Sequence, residues 1–383
     1  MNAESSMRHA EWRRHGSRWL SPLRVVLAGG GTGGHLYPGI AVARCLQARC
    51  PGVDIAFLGL RGGLDERVVP REGFRLYTVP VQALKGRARV AQVRALGTLT
   101  VGTWQAVRLL QRLHPHLVIG AGGYVMGPGV LAATLLRLPR VIMEQNLIPG
   151  LTVRVLARCA HRVFTTFPET QAYLPAGWVE YTGTPIRPEI WANGLTEAAR
   201  CNGVLHVLVF GGSQGAHRIN QAMLEALPFL QKHRQHLRLV HQTGDADFAT
   251  MVQAYQQAAL DVEVSPFLHD MGARYRWAHL VVCRAGASTL AELTACGKPS
   301  ILVPYPYAAD DHQHYNALAL QQQGAAQVIL DAELTGARLA EALHGVLAHP
   351  LRLRQQAERS RALGKPQAAD AIVTACLRLL GLM

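Results

Sequence analysis

Two doubly wound α/β domains are what this 383-residue sequence predicts, and three observations carry the prediction. The chain exceeds the usual span of one domain, and 49% of its residues are apolar, enough to bury two cores. Short β-rich runs alternate with helical patterns, and the runs are apolar throughout instead of at every second residue, as in parallel strands covered on both faces. The series breaks once, between 168 and 203, where Pro168, Pro175, Pro185 and Pro188 accompany a shift towards turn residues.

The first set of strands is expected at 23–30, 54–60, 74–81, 117–123, 140–146 and 162–167, and the second at 204–212, 237–243, 262–267, 279–284, 299–304 and 325–330. The boundaries that follow are an N-terminal domain over 22–183, a linker over 184–203 and a C-terminal domain over 204–365. Segment 366–383 holds an amphipathic helix whose stripe needs a partner surface; the first domain is the expected one, although periodicity does not name it. Residues 1–21 are basic without the apolar core of a secretory signal, and are expected to extend outside the first domain. The uncharged apolar span between Arg94 and Arg108 has 13 residues, short of the ~20 a membrane helix needs. Seven cysteines without a CxxC pair read as reduced, buried thiols of a cytoplasmic protein.

A net charge of +14 calls for an anionic partner. From Gly73 to Met143 there is no acidic residue, yet there are nine basic ones: Arg75, Lys85, Arg87, Arg89, Arg94, Arg108, Arg112, Arg137 and Arg140. Apolar residues from Leu84 to Leu110, Trp104 among them, lie between these cations. Such a stretch suits docking on an anionic lipid surface, and equally an ordinary amphipathic helix with solvated arginines. Nucleic acid is not expected, because no reading module is visible.

Three glycine-rich loops follow strands: "AGGGTGGH" (28–35), "GAGGYVMGPG" (120–129) and "FGGSQGAH" (210–217). A glycine turn entering a helix exposes backbone N–H groups at the positive end of the helix dipole, so each is a candidate anion site. The first also satisfies G-x-G-x-x-G through Gly29, Gly31 and Gly34. A dinucleotide site would want an acid closing the second strand, whereas here Asp65 and Glu66 arrive late and Asp54 sits at the wrong end. In "CRAGASTLAEL" (283–293), Ser288 and Thr289 stand near a helix start, and Glu292 is placed to accept from both hydroxyls of a ribose. "PYPYAADDHQHYNA" (304–317) reads as a sugar-binding loop with Gln313 as a two-way hydrogen-bonding group; His312 and His314 do not converge on one ion with Asp310 and Asp311. "GDADF" (244–248) has a D-x-D spacing but precedes a helical run, where capping is expected.

In order, "GGTGGHLYP", "GAGGYVMGP", "EQN", "GGSQGAHRIN", "CRAGASTLAEL" and "DDHQHYNA" resemble the MurG family, glycosyltransferases that move N-acetylglucosamine (GlcNAc) from UDP to a lipid-linked muramyl-pentapeptide. The likeness runs from about Leu23 to Asn316 and beyond. It implies a GT-B fold, two Rossmann-like domains facing a cleft, and an inverting reaction with no metal and no cofactor. Donor contacts implied for UDP-GlcNAc are Thr32, Gly33, Gly34, Asn146, Arg187, Ser213, Leu268, the run Ala287, Ser288, Thr289, Leu290, Ala291 and Glu292, and Gln313. Gly122, Gly123 and Tyr124 would face the diphosphate of the acceptor, the undecaprenyl-linked MurNAc-pentapeptide called lipid I, whose product is lipid II. Two positions depart from the family pattern: Met143 stands where His is usual before Glu-Gln-Asn, and Thr184 where Asn is usual.

The resemblance also implies a peripheral protein on the cytoplasmic side of the inner membrane, docked on anionic lipid through 75–112. His35 is the first candidate for the general base that deprotonates the acceptor hydroxyl, since a helix N-terminus disfavours imidazolium; Glu144 is the second. A hydrogen-bond donor to the acceptor, or a histidine that merely begins a helix, are the other readings of His35. Another UDP-sugar:lipid transferase of the same fold, a non-catalytic membrane subunit and a nicotinamide enzyme are the alternative functions.

Overall fold

The computed structural model describes residues 22–81, 89–175, 177–191, 203–212 and 214–383, with backbone only at 89–96. The N-terminal extension, Leu84, Lys85, Arg87, Cys201, Ser213 and most of the expected linker therefore lie outside the described residues. Contacts divide the chain into two units, Met1–Pro185 with Gln367–Met383, and Ile186–Pro366.

The first unit alternates strand and helix: β1 (Arg24–Ala28), α1 (Gly33–Arg49), β2 (Asp54–Leu60), α2 (Leu64–Arg71), β3 (Arg75–Val79), α3 (Arg89–Leu113), β4 (Leu117–Gly120), α4 (Met126–Leu135), β5 (Arg140–Glu144), α5 (Leu151–Leu156), β6 (Arg162–Thr165) and β7 (Val179–Tyr181). All pair in parallel in the order β3-β2-β1-β4-β5-β6-β7. Successive strand residues point to opposite faces, and both faces are covered. Leu27, Phe57, Ile119 and Phe164 pack on one side with Leu36 and Ile40 of α1. Val26, Leu58, Val118 and Ile142 pack on the other with Ala106 and Leu110 of α3 and Val130 of α4. That double burial is why these strands read as continuous apolar runs.

Helix Ala368–Leu379 supplies Ile372, Val373, Cys376 and Leu377 to the face that α1 covers, and Arg49 reaches Asp370 at 3.0 Å. One strand departs from the sequence expectation. β7 falls in the proline-rich stretch, where three residues between Pro175 and Pro185 are too few for a periodic signal; it pairs only with β6, Val163 opposite Val179.

The second unit holds β8 (Leu205–Phe210), α6 (His217–Leu230), β9 (Leu237–Gln242), β10 (Val262–Ser265), β11 (Leu280–Cys283), α7 (Ala287–Ala295), β12 (Ser300–Leu302), α8 (His312–Gln322) and β13 (Ala326–Val328), with further helices between them. Its parallel order, β10-β9-β8-β11-β12-β13, repeats the pattern of the first unit. In each sheet the chain reverses its winding beside the first strand, between β1 and β4 and between β8 and β11. Loops at the carboxyl ends of strands that flank such a reversal diverge and leave room for a ligand. The glycine loops after β1, β4 and β8 occupy those places.

The basic segment resolves into two kinds of residue. Ala106 and Leu110 of α3 are core, and Gly102 lies so close that an added Cβ would stand 2.4 Å from the Pro80 carbonyl oxygen. Val101 and Trp104 are about half exposed, with the Arg108 guanidinium 3.8 Å over the Trp104 ring. Arg75, included in the expected docking surface, stands on β3 paired with Asp54, so its charge is already matched. No helix among the described residues is long and apolar enough to cross a membrane.

Candidate functional site

In the first unit the loop after β1 turns through three glycines of positive φ: Gly29 at 146°, Gly30 at 142° and Gly31 at 80°. Only glycine takes this path without strain. Thr32 then stands at the N-cap in extended conformation, and α1 begins. His35, in its first turn, has Nδ1 at 3.0 Å from Thr32 Oγ1, and its backbone N–H donates to the Thr32 carbonyl at 3.2 Å. Gly122 and Gly123 press against the ring: a Cβ on Gly122 would stand 2.5 Å from His35 Cδ2, and one on Gly123 3.2 Å from Nδ1. The first and second glycine loops thus form one structure around His35, with Thr32 and Tyr124 exposed beside it.

Asp65, on the first turn of α2, is fully buried beneath this loop. Its carboxylate accepts the Gly31 N–H at 2.9 and 3.1 Å and the Leu60 N–H at 2.8 Å. The anion that the G-x-G-x-x-G amide meets is a side chain of the same unit. The lateness of Asp65 in the sequence, which argues against a ribose contact, is what lets it fold back under the loop.

Glu144 closes β5 and is buried. Its Oε1 accepts from the backbone N–H of Asn146 at 2.9 Å and from Asn146 Nδ2 at 3.1 Å, and its Oε2 from the Gly150 N–H at 3.1 Å. Burial pushes its carboxyl up to about 7 against these three donors. Loop 145–150 is therefore wrapped around the carboxylate, which holds Asn146. Gln145 between them is buried; its Nε2 donates to the Ala121 carbonyl at 2.9 Å, while its Oε1 has no partner and lies where a Gly122 side chain would be. Both departures from the family pattern find a place. Met143 faces the core beside α1, and Thr184 is buried with its hydroxyl bonded to that of Thr166.

In the second unit, the described part of loop 210–217 is held by backbone proximity. A Cβ on Gly215 would stand 2.1 Å from the Thr243 carbonyl oxygen, and one on Gly244 2.2 Å from that of Gln214. Asn220 Nδ2 donates to the Thr243 carbonyl at 2.8 Å and to Asp247 at 2.7 Å, and His217 Nδ1 lies 3.0 Å from Asp247. Burial works against the Asp247 carboxylate, but the Asn220 and His217 hydrogen bonds outweigh it and hold the group below the usual range. Asp247 is thus spent on the loop instead of capping the helix that follows, which has no side-chain cap bond. Among the described residues no group of three or more His, Cys, Asp or Glu can hold a metal ion.

Gly286 caps α7, and Ala287, Ser288, Thr289, Leu290, Ala291 and Glu292 all lie in its first two turns. Glu292 accepts from the Tyr275 hydroxyl at 2.9 Å and faces Arg187 at 3.8 Å, which in turn faces Glu189 at 3.8 Å. Burial pushes the Glu292 carboxyl up, and Arg187 opposes it. Leu268 is buried just past β10. Gln313, in the first turn of α8, accepts the Tyr305 N–H at its side-chain oxygen at 3.0 Å. Two successive residues before that helix, Asp310 and Asp311, take positive φ of 56° and 52°, a strained approach. Arg284 bonds the Val303 and Pro304 carbonyls and Asp331, pinning the start of the same loop.

Sequence reasoning did not single out Asp65 as a loop partner, nor Gln145, Tyr275 and Arg284. Gln145 stands inside the quoted Glu-Gln-Asn motif, which is the one signal that points to it.

Comparisons with known proteins give the family. Residues 25–165 match the glycosyltransferase family 28 N-terminal domain, and residues 206–372 the C-terminal domain of that family. The UDP-N-acetylglucosamine–N-acetylmuramyl-(pentapeptide) pyrophosphoryl-undecaprenol N-acetylglucosamine transferase of Geotalea uraniireducens is 45% identical over 353 residues, 92% of this chain and 97% of that protein. Its counterpart in Myxococcus xanthus is 44% identical over 358 residues, 94% of this chain and 93% of that one. The crystal structure of Acinetobacter baumannii MurG superposes with a TM-score of 0.76 at 31% identity, covering 93% of this chain and all of that one.

Proposed function

The chain belongs to glycosyltransferase family 28 and within it to the MurG family, and on that premise we propose that it transfers GlcNAc from UDP-GlcNAc to the C4 hydroxyl of MurNAc in lipid I, giving lipid II for peptidoglycan synthesis. Relatives 45% identical over 92% of the chain carry this reading. The fold is GT-B.

The hydroxyl oxygen attacks the anomeric carbon from the face opposite UDP, the C–O bond to the diphosphate breaks, and configuration inverts. His35 takes the hydroxyl proton. In support, its ring is clamped by Thr32, Gly122 and Gly123, so one nitrogen is oriented and the imidazole cannot swing away. Gly122, Gly123 and Tyr124 then belong to the acceptor diphosphate. Glu144 is a positioning residue for Asn146 in this scheme, because the hydrogen bonds its carboxylate accepts come from its own loop. UDP leaves as an anion, and the N-terminal amides of α7 with Ser288 and Thr289 are oriented to receive it. Glu292, braced by Tyr275, accepts the ribose hydroxyls, and Arg187 balances the charge. Leu268 meets the uracil by its backbone, and Gln313 meets the GlcNAc hydroxyls. Thr32, Gly33 and Gly34 line the donor sugar and diphosphate region and Asn146 is a further donor contact, with Ser213 assigned by its motif alone. The exposed face of α3 around Val101, Trp104 and Arg108 docks on anionic lipid at the cytoplasmic side of the inner membrane.

The test is UDP release from UDP-GlcNAc and a short-chain lipid I analogue in EDTA, for the wild type and His35→Ala. Acceptor-dependent release is expected without metal, with kcat cut about 100-fold or more in the variant and donor affinity kept. Near-normal turnover of His35→Ala would remove the base from His35. No release by the wild type would refute the reaction.

A further inference from the structure

We propose that Asp65 is a resident anion that occupies the Gly31 amide of the first glycine loop and makes the loop a rigid mount for His35, a positioning residue for the transfer reaction; the inference rests on the function proposed above. A glycine-rich turn between a strand and a helix ordinarily waits for a phosphate to satisfy its amides. Here both carboxylate oxygens face the Gly31 N–H, and one also takes the Leu60 N–H at the end of β2. The carboxylate has no exposed surface. Its seat is carved by two glycines. A Cβ on Gly30 would stand 2.4 Å from Asp65 Oδ1, and one on Gly59 2.8 Å from Oδ2. Glycine is required at both positions because a carboxylate fills the space.

The consequence reaches the chemistry through a short chain of bonds. Fixing the Gly31 peptide fixes Thr32, whose hydroxyl meets His35 Nδ1 and whose carbonyl accepts the His35 backbone N–H. A phosphate bound at Gly31 would pull that peptide towards itself and turn the ring with it. With the amide already satisfied from below, the loop holds one shape with or without ligand, and His35 is set before the acceptor arrives. Motion of a catalytic group by about 1 Å lowers rate by on the order of 100-fold, so such a mount matters to kcat more than to binding.

Asp65→Asn keeps the shape and loses the anion. In this variant kcat is expected to fall 10- to 100-fold, while the Kd for UDP, held by the other unit, stays within twofold. Hydrogen exchange at the Gly31 and Leu60 amides should quicken, and the His35 ring ¹⁵N resonances should shift. Should Asp65→Asn not fold, Gly59→Ala displaces the carboxylate without removing its charge and is expected to give the same split. Unchanged kcat, or loss of UDP affinity in parallel with kcat, would overturn the proposal. The amide exchange and ring resonances read Asp65 even if the wild type fails to release UDP, so failure of the reaction and failure of the mount are told apart.

Discussion

The glycine loops after β1 and after β8 look alike in sequence and occupy equivalent places in their sheets, yet they are held in different ways. In the first, the Gly31 amide is satisfied by the buried Asp65 carboxylate. In the second, the described amides of Gly211 and Gly215 give to neutral acceptors, Gln242 Oε1 and the Gly212 carbonyl, and glycine-to-backbone packing against 243–244 sets the shape. The second loop also has a carboxylate beside it, but Asp247 bonds the side chains of His217 and Asn220, whereas Asp65 takes a backbone amide of the first loop directly. One motif class is thus held by a buried carboxylate in one unit and by close backbone packing in the other.

Four measurements break or sharpen this contrast, in order of expected size. Gly215→Ala places a Cβ 2.1 Å from the Thr243 carbonyl oxygen at a φ of 76°. It should destabilise by on the order of 2–4 kcal/mol and abolish measurable UDP binding, read by chemical denaturation and calorimetry. If UDP still binds with native affinity, the second loop is not held as described. Glu292→Ala removes a charged acceptor and is expected to weaken UDP about 10- to 100-fold, from roughly 1.5–3 kcal/mol per charged hydrogen bond.

Glu144 gives a pH signature confined to the first unit. Its folded pKa, near 7, lies above that of an unfolded glutamate, so the group adds stability while protonated. That contribution is full below about pH 4.5 and is lost as pH rises through 7, about 3 kcal/mol in all. Urea midpoints between pH 5 and 8 should fall less steeply in Glu144→Gln than in the wild type. The same variant should keep kcat within about tenfold; a loss as large as that of His35→Ala would move the base to Glu144. Smallest is Trp104→Ala, expected to weaken binding to anionic vesicles about tenfold, ~1.4 kcal/mol, with UDP affinity unmoved. Equal binding by both proteins would take α3 out of the docking surface.

Much of this was legible in the residues. Strands such as β1, β4, β8 and β11 declared themselves because a parallel strand buried on both faces is largely apolar, a signal that needs no neighbours to read. The family motifs marked the loops, because glycines at positive φ and a histidine at a helix start leave little freedom of residue type. The three-residue β7 gave no period, and its place depends on β6 alone. Arg75 and Arg108 are both basic residues in one acid-free stretch, but only packing shows the first paired with Asp54 and the second lying over Trp104. Asp65 and Tyr275 act on atoms far along the chain, where spacing carries no information.

By itself, then, the order of residues determined two sheets of parallel strands, the loops that carry chemistry and the family, since each follows from local periodicity and from short motifs. Tertiary structure alone decided which glycine loop already holds its anion, that Glu144 grips its own loop, that Met143 is core, and where the amphipathic Ala368–Leu379 finds its partner. The physical reason is that hydrogen bonds and burial join residues by distance in space: an apolar stripe states that it must be covered, but only the packed chain states by what.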